Sequence, residues 1–243
     1  LALHPNGEIM SIQFASSYQY GFAFYSTGQL RKINFYDASG KPVTANFTAQ
    51  KELLQVISNN VIEEDETTNK TARAIAQQVN PSWGKHPFFT DSVKNGNYIL
   101  NYSNGKPFLN LQFSNDLPDG KWLISDAVSS DTIFYANFKN GKKIGLMVRK
   151  KNYGIPMERK VYGENEELIS STTYHLNGNR NEERTYEKKN PVYTKEFYEN
   201  GMVKRISDEI NKNYFNFKND GSVFYSTETF SSPDSIRIIK NYF

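Results

Sequence analysis

Few side chains in this sequence could act as general acids, general bases or metal ligands. The histidines are His4, His86 and His175, and no two have a spacing that would place both on one face of a helix or strand. Cysteine is absent, which excludes disulfides, thiol catalysis and cysteine-ligated metal sites. Common catalytic and nucleotide-binding motifs are also missing. We therefore expect no catalytic residue, metal site or cofactor, and we interpret His175 as a packing residue beside a turn.

Two acidic segments are the remaining candidates for acid–base or metal chemistry. They are residues 63–66, with the sequence Glu-Glu-Asp-Glu, and the group Glu164, Glu166 and Glu167. A glycosidase needs two carboxylates on facing elements, and a calcium loop needs alternating oxygen ligands around a turn glycine. Neither segment has that spacing, so we interpret both as solvated loop charge.

A basic segment between residues 139 and 151 contains no acidic residue. Its cations are Lys139, Lys142, Lys143, Arg149, Lys150 and Lys151. Cations beside a sheet edge protect it from pairing with other sheets, which is the interpretation that we favour. The alternative is an anion-binding site for phosphate or a lipid headgroup. Nucleic acid is not expected, because the formal net charge is only +3 and few aromatic side chains lie between these cations.

Dipeptides ending in glycine recur along the chain and predict tight turns. Glycine follows asparagine, aspartate, threonine or serine at Gly7, Gly28, Gly40, Gly96, Gly105, Gly120, Gly141, Gly178, Gly201 and Gly221. A two-residue type I′ turn needs positive φ at both central positions, which asparagine, aspartate and glycine tolerate. Between the turns apolar and polar residues alternate, as at Phe134, Ala136 and Phe138. We therefore predict a series of antiparallel β-hairpins.

The predicted turns share a further residue, which makes them a repeat. An aromatic residue or histidine stands three positions before the glycine at Tyr25, Tyr102, Phe138, His175 and Tyr198. The last turns recur at intervals near 21 residues, with one irregular interval. A two-stranded unit of this size cannot bury its apolar face alone and must stack on its neighbours.

One stretch, residues 49–79, departs from this pattern and predicts two short helices. The first is predicted from the helical spacing of Leu53, Leu54, Ile57 and Val61, and the second from residues 71–79. Asn80-Pro81 is expected to end the second helix. Nothing in the sequence predicts a membrane-spanning segment.

The predicted fold class is therefore mainly β: a repetitive antiparallel β-hairpin meander forming an extended or curved sheet, with a small α-helical insertion. Residues 1–48 are expected to form N-terminal β-hairpin repeats, residues 49–90 a helical insertion with a return loop, and residues 91–243 a β-hairpin repeat array. We expect these parts to make one continuous structural domain.

The turn sequences resemble those of a known repeat family. The segments concerned are Tyr25-Ser-Thr-Gly-Gln-Leu30, Leu117-Pro-Asp-Gly-Lys-Trp122 and Tyr198-Glu-Asn-Gly-Met-Val203. They are similar to the variant MORN repeats of YwqK-type bacterial proteins, over about residues 18–47 and 97–227. The resemblance implies short hairpin units and a bacterial source. Some members of that family are described as antitoxin components, and the repeat has no catalytic residues to carry over.

Together these features predict a non-catalytic repeat module that binds a protein or another component of the cell envelope. Its repeated aromatic residues would contact a protein partner, with a glycan as the alternative ligand. One competing hypothesis is a hydrolase whose site lies between the helical insertion and the sheet and uses carboxylates and His86. Another is lipid-headgroup or anion binding through residues 139–151, and membrane contact is expected only through this segment or a lipid anchor. The composition favours export to the bacterial periplasm or cell surface.

Overall fold

The computed structural model describes residues 2–3, 9–13, 21–27, 29–37, 41–50, 52–58, 61–62, 65–80, 83, 93–150, 154–229 and 237–241. These residues form two antiparallel sheets and one α-helix of several turns, so the predicted mainly β hairpin meander with a small helical insertion is confirmed. No helix in these ranges is long and apolar enough to cross a membrane.

The first sheet has seven strands in sequence order. They are β1 (Ala2–Leu3), β2 (Ile9–Gln13), β3 (Gly21–Phe24), β4 (Leu30–Tyr36), β5 (Pro42–Phe47), β6 (Leu53–Ser58) and β7 (Val61–Ile62). In β4 and β5 alternate residues are buried, with Ile33, Phe35, Val43 and Ala45 almost inaccessible to solvent. This period of two is what a half-buried sheet face requires.

The second sheet has thirteen strands, and each again pairs with its neighbours in sequence. They are β8 (Gly96–Asn101), β9 (Pro107–Ser114), β10 (Leu117–Ser125), β11 (Thr132–Lys139), β12 (Lys142–Lys150), β13 (Pro156–Tyr162), β14 (Leu168–Tyr174), β15 (Arg180–Glu187), β16 (Asn190–Phe197), β17 (Val203–Asp208), β18 (Asn213–Phe217), β19 (Val223–Thr229) and β20 (Arg237–Asn241). Short hairpin connections make such a meander the natural topology.

The helix α1 spans Glu66–Gln78, so it overlaps the second helix predicted from the sequence, at residues 71–79, and begins five residues earlier. Asp65 caps its N-terminus, because one carboxylate oxygen accepts hydrogen bonds from the N–H and the hydroxyl of Thr68 at 2.9 and 2.8 Å. The chain leaves helical geometry at Val79, just before Asn80-Pro81.

The first predicted helix is wrong, because residues 53–58 form strand β6. The apolar spacing that suggested a helix also fits a strand with one exposed leucine, and pairing with β5 decides between the two. Val56 and Ser58 of β6 are buried, whereas Leu54 is 62% exposed. The β-branched residues Val56 and Ile57 favour this outcome.

The chain divides into two compact units, one formed by residues 1–135 and 151–154 and the other by residues 136–150 and 155–243. The division predicted at residues 48 and 90 stays a prediction. The large apolar cluster belongs to the first unit. It combines β3–β6, the inner face of α1, Trp83, β8–β10, Ala127 and Ile133.

Aromatic contacts hold the centre of that cluster together. The indole of Trp83 stacks on Phe108 with ring centroids 4.6 Å apart, and Phe22 meets both rings edge-on at 5.4 and 5.5 Å. The indole N–H of Trp83 donates to the carbonyl of Asn101 at 2.7 Å, so its polar atom is also satisfied. Such pairs add to the stabilisation that burial provides.

The predicted two-residue type I′ geometry is found at Asn140-Gly141, whose φ angles are 50° and 80°. Two further pairs with positive φ at both positions, Asn115-Asp116 and Lys188-Lys189, connect β9 to β10 and β15 to β16. The turn predicted at Gly120 is wrong. That glycine lies inside β10 at an irregularity between Pro118 and Trp122.

The type I′ prediction is wrong for Gly105, Gly178, Gly201 and Gly221, where only the glycine has positive φ. In each case the glycine N–H donates to the carbonyl three residues earlier, as from Gly178 to His175 at 3.0 Å. These are type I turns closed by a left-handed glycine. The preceding asparagine or aspartate serves as a side-chain acceptor for the N–H two residues further on.

Candidate interaction surface

The structure separates the cations of the predicted anion-binding segment. Lys139 and Lys142 flank the exposed Asn140-Gly141 turn, whereas Arg149 and Lys150 lie at the other end of β12. Arg149 lies seven positions after Lys142 along β12, which corresponds to about 23 Å. Lys151 lies outside the described residues. The segment therefore does not form a single cluster.

Carboxylates engage two of these cations. The ammonium of Lys143 lies 3.0 Å from Glu166, and this hydrogen bond holds the pKa of Glu166 below its usual range. The guanidinium of Arg149 lies 3.3 Å from Glu158, with both side chains largely covered. Of the residues that the structure describes, Lys139, Lys142 and Lys150 have no acidic partner within 4 Å.

The described carboxylates of the two acidic segments make local contacts that stabilise a helix and a turn. Asp65 caps α1, and Glu66 lies 3.2 Å from Arg73 of the same helix. Glu167 accepts the N–H of Asn165 at 2.8 Å within the turn between β13 and β14. Glu63 and Glu64 lie outside the described residues. Within the described part of the chain, no three histidine, aspartate or glutamate side chains converge as a metal site.

His175 contacts the backbone of the next hairpin: its Nε2 lies 3.0 Å from the carbonyl of Phe197. The tyrosines at the equivalent repeat position make the same kind of contact, because each hydroxyl donates to the carbonyl at the end of a later strand. The pairs are Tyr25 to Phe47, Tyr102 to Ser125 and Tyr198 to Phe217, at 2.8, 2.7 and 2.8 Å. The interpretation of His175 as a residue packed beside a turn agrees with this contact. His4 and His86 lie outside the described residues.

One face of the sheet in the second unit carries mainly charged and polar side chains. Strand register places Arg149, Glu158, Thr173, Glu182, Glu196, Arg205 and Asn216 in one row across β12–β18. The ion pairs along this face are Arg149–Glu158, Lys160–Glu158, Arg184–Glu182 and Arg205–Glu196, at 2.6 to 3.6 Å. We call this side of the sheet the charged face.

The opposite side bears a group of apolar residues that the sequence analysis did not single out. Register pairs Lys195 with Ile206, Ile206 with Phe215, and Phe215 with Ser226. Directly opposed residues share a face, and so do residues two apart on one strand. We define the aromatic face by Tyr193, Ile206, Phe215 and Phe217 of β16–β18 together with Phe224 of β19, which lies two residues before Ser226, the partner of Phe215.

The aromatic face is partly open to solvent. Phe224 is 57% exposed and Tyr193 is 37% exposed, while Ile206, Phe215 and Phe217 are half-buried. Phe197, on the same face of β16, is buried, and the ammonium of Lys195 lies 5.3 Å from its ring centroid. The face thus combines a half-buried apolar centre with exposed aromatic residues at its margins and a cation beside it.

A bulge after the turn explains why Phe224 is exposed. On β19 the register shifts opposite Asn216 and Phe217, which leaves Phe224 as an extra residue that the partner strand does not match. The same shift follows other turns and leaves further exposed residues: Arg31, Leu54, Ile169, Asn181 and Lys204. A bulge re-aims one side chain, so the residue type at this position decides what the repeat presents to solvent.

The alternating aromatic residues of β18 were visible in the sequence, but the face that they share with β16 and β19 was not. That relation depends on register and on the bulge at Phe224, and a shift of one residue would move every side chain of a strand to the other face. The charged face was missed for the same reason. Its ion pairs join residues of neighbouring strands, and the sequence alone gives no pairing partner.

Comparisons with known proteins identify no family, since no family model and no curated protein matches the chain. Among solved structures, the S. aureus protein TarM is 19% identical over 40% of this chain and 19% of its own length, with a TM-score of 0.28. The complex TcdB2-TccC3-Cdc42 is 8% identical over 90% of this chain and 15% of that chain, with a TM-score of 0.16. This chain therefore corresponds to less than a fifth of the length of either.

Proposed function

We propose that the protein is a non-catalytic interaction module that binds a protein partner through the aromatic face. The observation that carries this proposal is the exposure of Phe224 and Tyr193 beside the half-buried Ile206 and Phe215. Exposed apolar side chains on one face favour association, and aromatic residues dominate the energetics of protein interfaces.

A protein partner suits this surface better than a glycan does. The centre of the face is apolar, and Lys195, Lys204 and Asp208 surround it on the same side of the sheet. An apolar centre with a charged rim is the usual anatomy of a protein interface. A glycan would be bound mainly by stacking on Tyr193 and Phe224. Neither mode needs a catalytic group.

A photo-crosslinking amino acid in place of Phe224 tests the proposal in the native cell. Ile169 provides the matched control, because it is also an exposed bulge residue but belongs to the charged face. We expect a discrete protein adduct from position 224 that is absent from position 169. Equal adducts from both positions, or a glycan without protein at position 224, would reject the proposal.

Anion binding at the Asn140-Gly141 turn is a second candidate function. Lys139 and Lys142 are exposed there, and neither lies within 4 Å of a carboxylate among the described residues. Phosphate or an anionic headgroup could satisfy both. Substituting both lysines with glutamate should abolish salt-sensitive binding to anionic vesicles, and unchanged binding would dismiss this candidate.

The hydrolase hypothesis has no comparable support from the described residues. Asp65 and Glu66 already cap and stabilise α1, and His86 lies outside the described ranges. The relation to variant MORN repeats also remains a proposal, supported by the shared turn sequence and the repeated contact of Tyr198 or His175 with the next hairpin. A bacterial source and export to the periplasm or cell surface remain predictions as well.

A further inference from the structure

We propose that Asn140-Gly141 is a site of spontaneous backbone rearrangement, at which the asparagine is converted to isoaspartate and aspartate. In this reaction the backbone nitrogen of Gly141 attacks the side-chain carbonyl carbon of Asn140. A nitrogen–carbon bond forms, the carbon–nitrogen bond of the amide breaks, and ammonia leaves with the proton from Gly141. Water then opens the resulting succinimide ring at either carbonyl, which gives isoaspartate or aspartate.

The chain offers several asparagine–glycine pairs to this chemistry, and the structure distinguishes between them. At Asn177 the side-chain amide donates to the carbonyl of Glu199 at 2.7 Å, and the N–H of Gly178 donates to His175. A side-chain amide held in this way cannot rotate toward the next nitrogen without losing its bond. A hydrogen-bonded glycine N–H is also a weaker acid and a poorer nucleophile.

Other pairs are held by similar contacts. The amide of Asn200 donates to Asn219, and the N–H of Gly201 donates to Tyr198 at 2.9 Å. At Asn104 the side-chain oxygen accepts the N–H of Lys106 at 3.0 Å, and Gly105 donates to Tyr102. In the remaining described pair, Asn95-Gly96, the contacts hold the backbone: the N–H of Asn95 donates to the hydroxyl of Tyr98 at 3.1 Å, and Gly96 pairs with Phe113 in strand β8.

Asn140-Gly141 lacks these restraints. Asn140 is exposed at the tip of a two-residue turn, and neither its side chain nor the N–H of Gly141 has a hydrogen-bond partner among the described residues. The neighbouring ammonium groups of Lys139 and Lys142 favour loss of the Gly141 proton, because they stabilise the developing negative charge, whereas Lys143 is already paired with Glu166. The absence of these hydrogen bonds and the positive charge nearby therefore both favour reaction at Asn140-Gly141.

The product would differ from the native turn in charge and in backbone. A new carboxylate would stand between Lys139 and Lys142, and isoaspartate would add one backbone carbon to a turn that has only two residues. The inference does not depend on the proposed interaction of the aromatic face, which lies on other strands.

Peptide mass spectrometry of the full chain, incubated in mildly alkaline buffer, tests this assignment. We expect Asn140 to react about tenfold faster than Asn104, Asn177 or Asn200, which corresponds to about 1.4 kcal/mol in activation free energy. In denaturant the same pairs should react at similar rates. The variant N140Q should lose the acidic product that appears on ion exchange. Reaction of any other described pair as fast as Asn140 in the folded chain, or an inert Asn140, would overturn the proposal.

Discussion

At the scale of single residues, the repeated aromatic position has a hydrogen-bonding role that the sequence did not suggest. Tyr25, Tyr102 and Tyr198 each donate a hydroxyl proton to the backbone at the end of a later strand, and His175 makes the equivalent contact. Because that carbonyl precedes the next turn on the same edge, the bond ties one hairpin to the next.

Removing these hydroxyls should destabilise the fold. For Tyr198→Phe we expect the free energy of unfolding to fall by about 1 kcal/mol. For Tyr102→Phe the loss should be about 1–3 kcal/mol, because Tyr102 is fully buried and the carbonyl of Ser125 would lose its partner. Urea unfolding measures both values. Tyr193→Phe is the control, since Tyr193 is exposed, and a loss as large as that of Tyr198→Phe would contradict this role.

Carboxylates in the turns should make stability depend on pH. The backbone and side-chain N–H groups of Asn211 lower the pKa of Asp208, and the hydroxyl and N–H of Ser222 lower the pKa of Asp220, both from an ordinary value of 3.8. A lowered pKa means that the folded chain binds protons more weakly than the unfolded chain. The stabilisation is therefore present above about pH 4 and is lost as the pH falls through the folded-state pKa.

Urea titrations at decreasing pH measure this effect. We expect the unfolding free energy to decrease below about pH 4, and the double variant D208N/D220N to show a flatter profile over the same range. An unchanged profile in that variant would mean that the two turns contribute nothing to the pH dependence.

At the scale of elements, the sequence predicted hairpins well but not the chemistry of their turns. Asn140-Gly141 has the expected type I′ geometry, because asparagine and glycine both tolerate positive φ. The turn at Lys188-Lys189 could not be recognised, since lysine gives no such signal. Its φ angles are nevertheless 48° and 73°, so pairing of β15 with β16 forces the turn against the local preference.

Replacing this turn with a favourable one should stabilise the protein. The double variant K188N/K189G should raise the free energy of unfolding by about 1–2 kcal/mol, because glycine and asparagine adopt positive φ at lower cost. Placing two lysines at Asn140 and Gly141 should have the opposite effect. Thermal unfolding compares the stability of each variant with that of the unsubstituted protein. A destabilised K188N/K189G would contradict the prediction, because it would mean that the two lysines make contacts whose stabilisation exceeds the cost of their positive φ angles.

Strand β6 shows what sequence periodicity cannot decide. Leu53, Leu54 and Ile57 fit a helix, but pairing with β5 places Val56 and Ser58 inward and leaves Leu54 at a bulge. The following helix was predicted from residues 71–79 alone, and its cap, Asp65, was recognised only in the structure. Whether a short apolar segment forms a helix or a strand depends on the elements that it packs against, which a single sequence does not reveal.

At the scale of the whole molecule, the two units differ in how they bury apolar surface. The large cluster around Phe22, Phe35 and Phe108 lies in the first unit. In the second unit most described side chains of β13–β18 are half-buried or exposed on both faces. Stability there must come more from strand pairing, ion pairs and the bonds between hairpins than from a common core.

This difference predicts unfolding in more than one step. Trp83 and Trp122 are the only tryptophans of the chain and both belong to the first unit, so tryptophan fluorescence reports on that unit alone. We expect Phe108→Ala to lower its stability by about 3–5 kcal/mol and to shift the fluorescence midpoint in urea. The far-UV circular dichroism should then show a separate transition that does not shift. Coincident shifts of both signals would indicate one cooperative unit.

The proposed function depends on the aromatic face. Its residues come from four strands, and the pairing of those strands places them on one side of the sheet. Binding of the crosslinked partner, once purified, is therefore the most direct measurement. We expect Phe224→Ala to raise the dissociation constant at least about tenfold, and Ile169→Ala, the exposed bulge residue on the charged face, to leave it within about twofold. Equal effects of the two substitutions, or a stronger effect of Ile169→Ala, would contradict an interaction through the aromatic face.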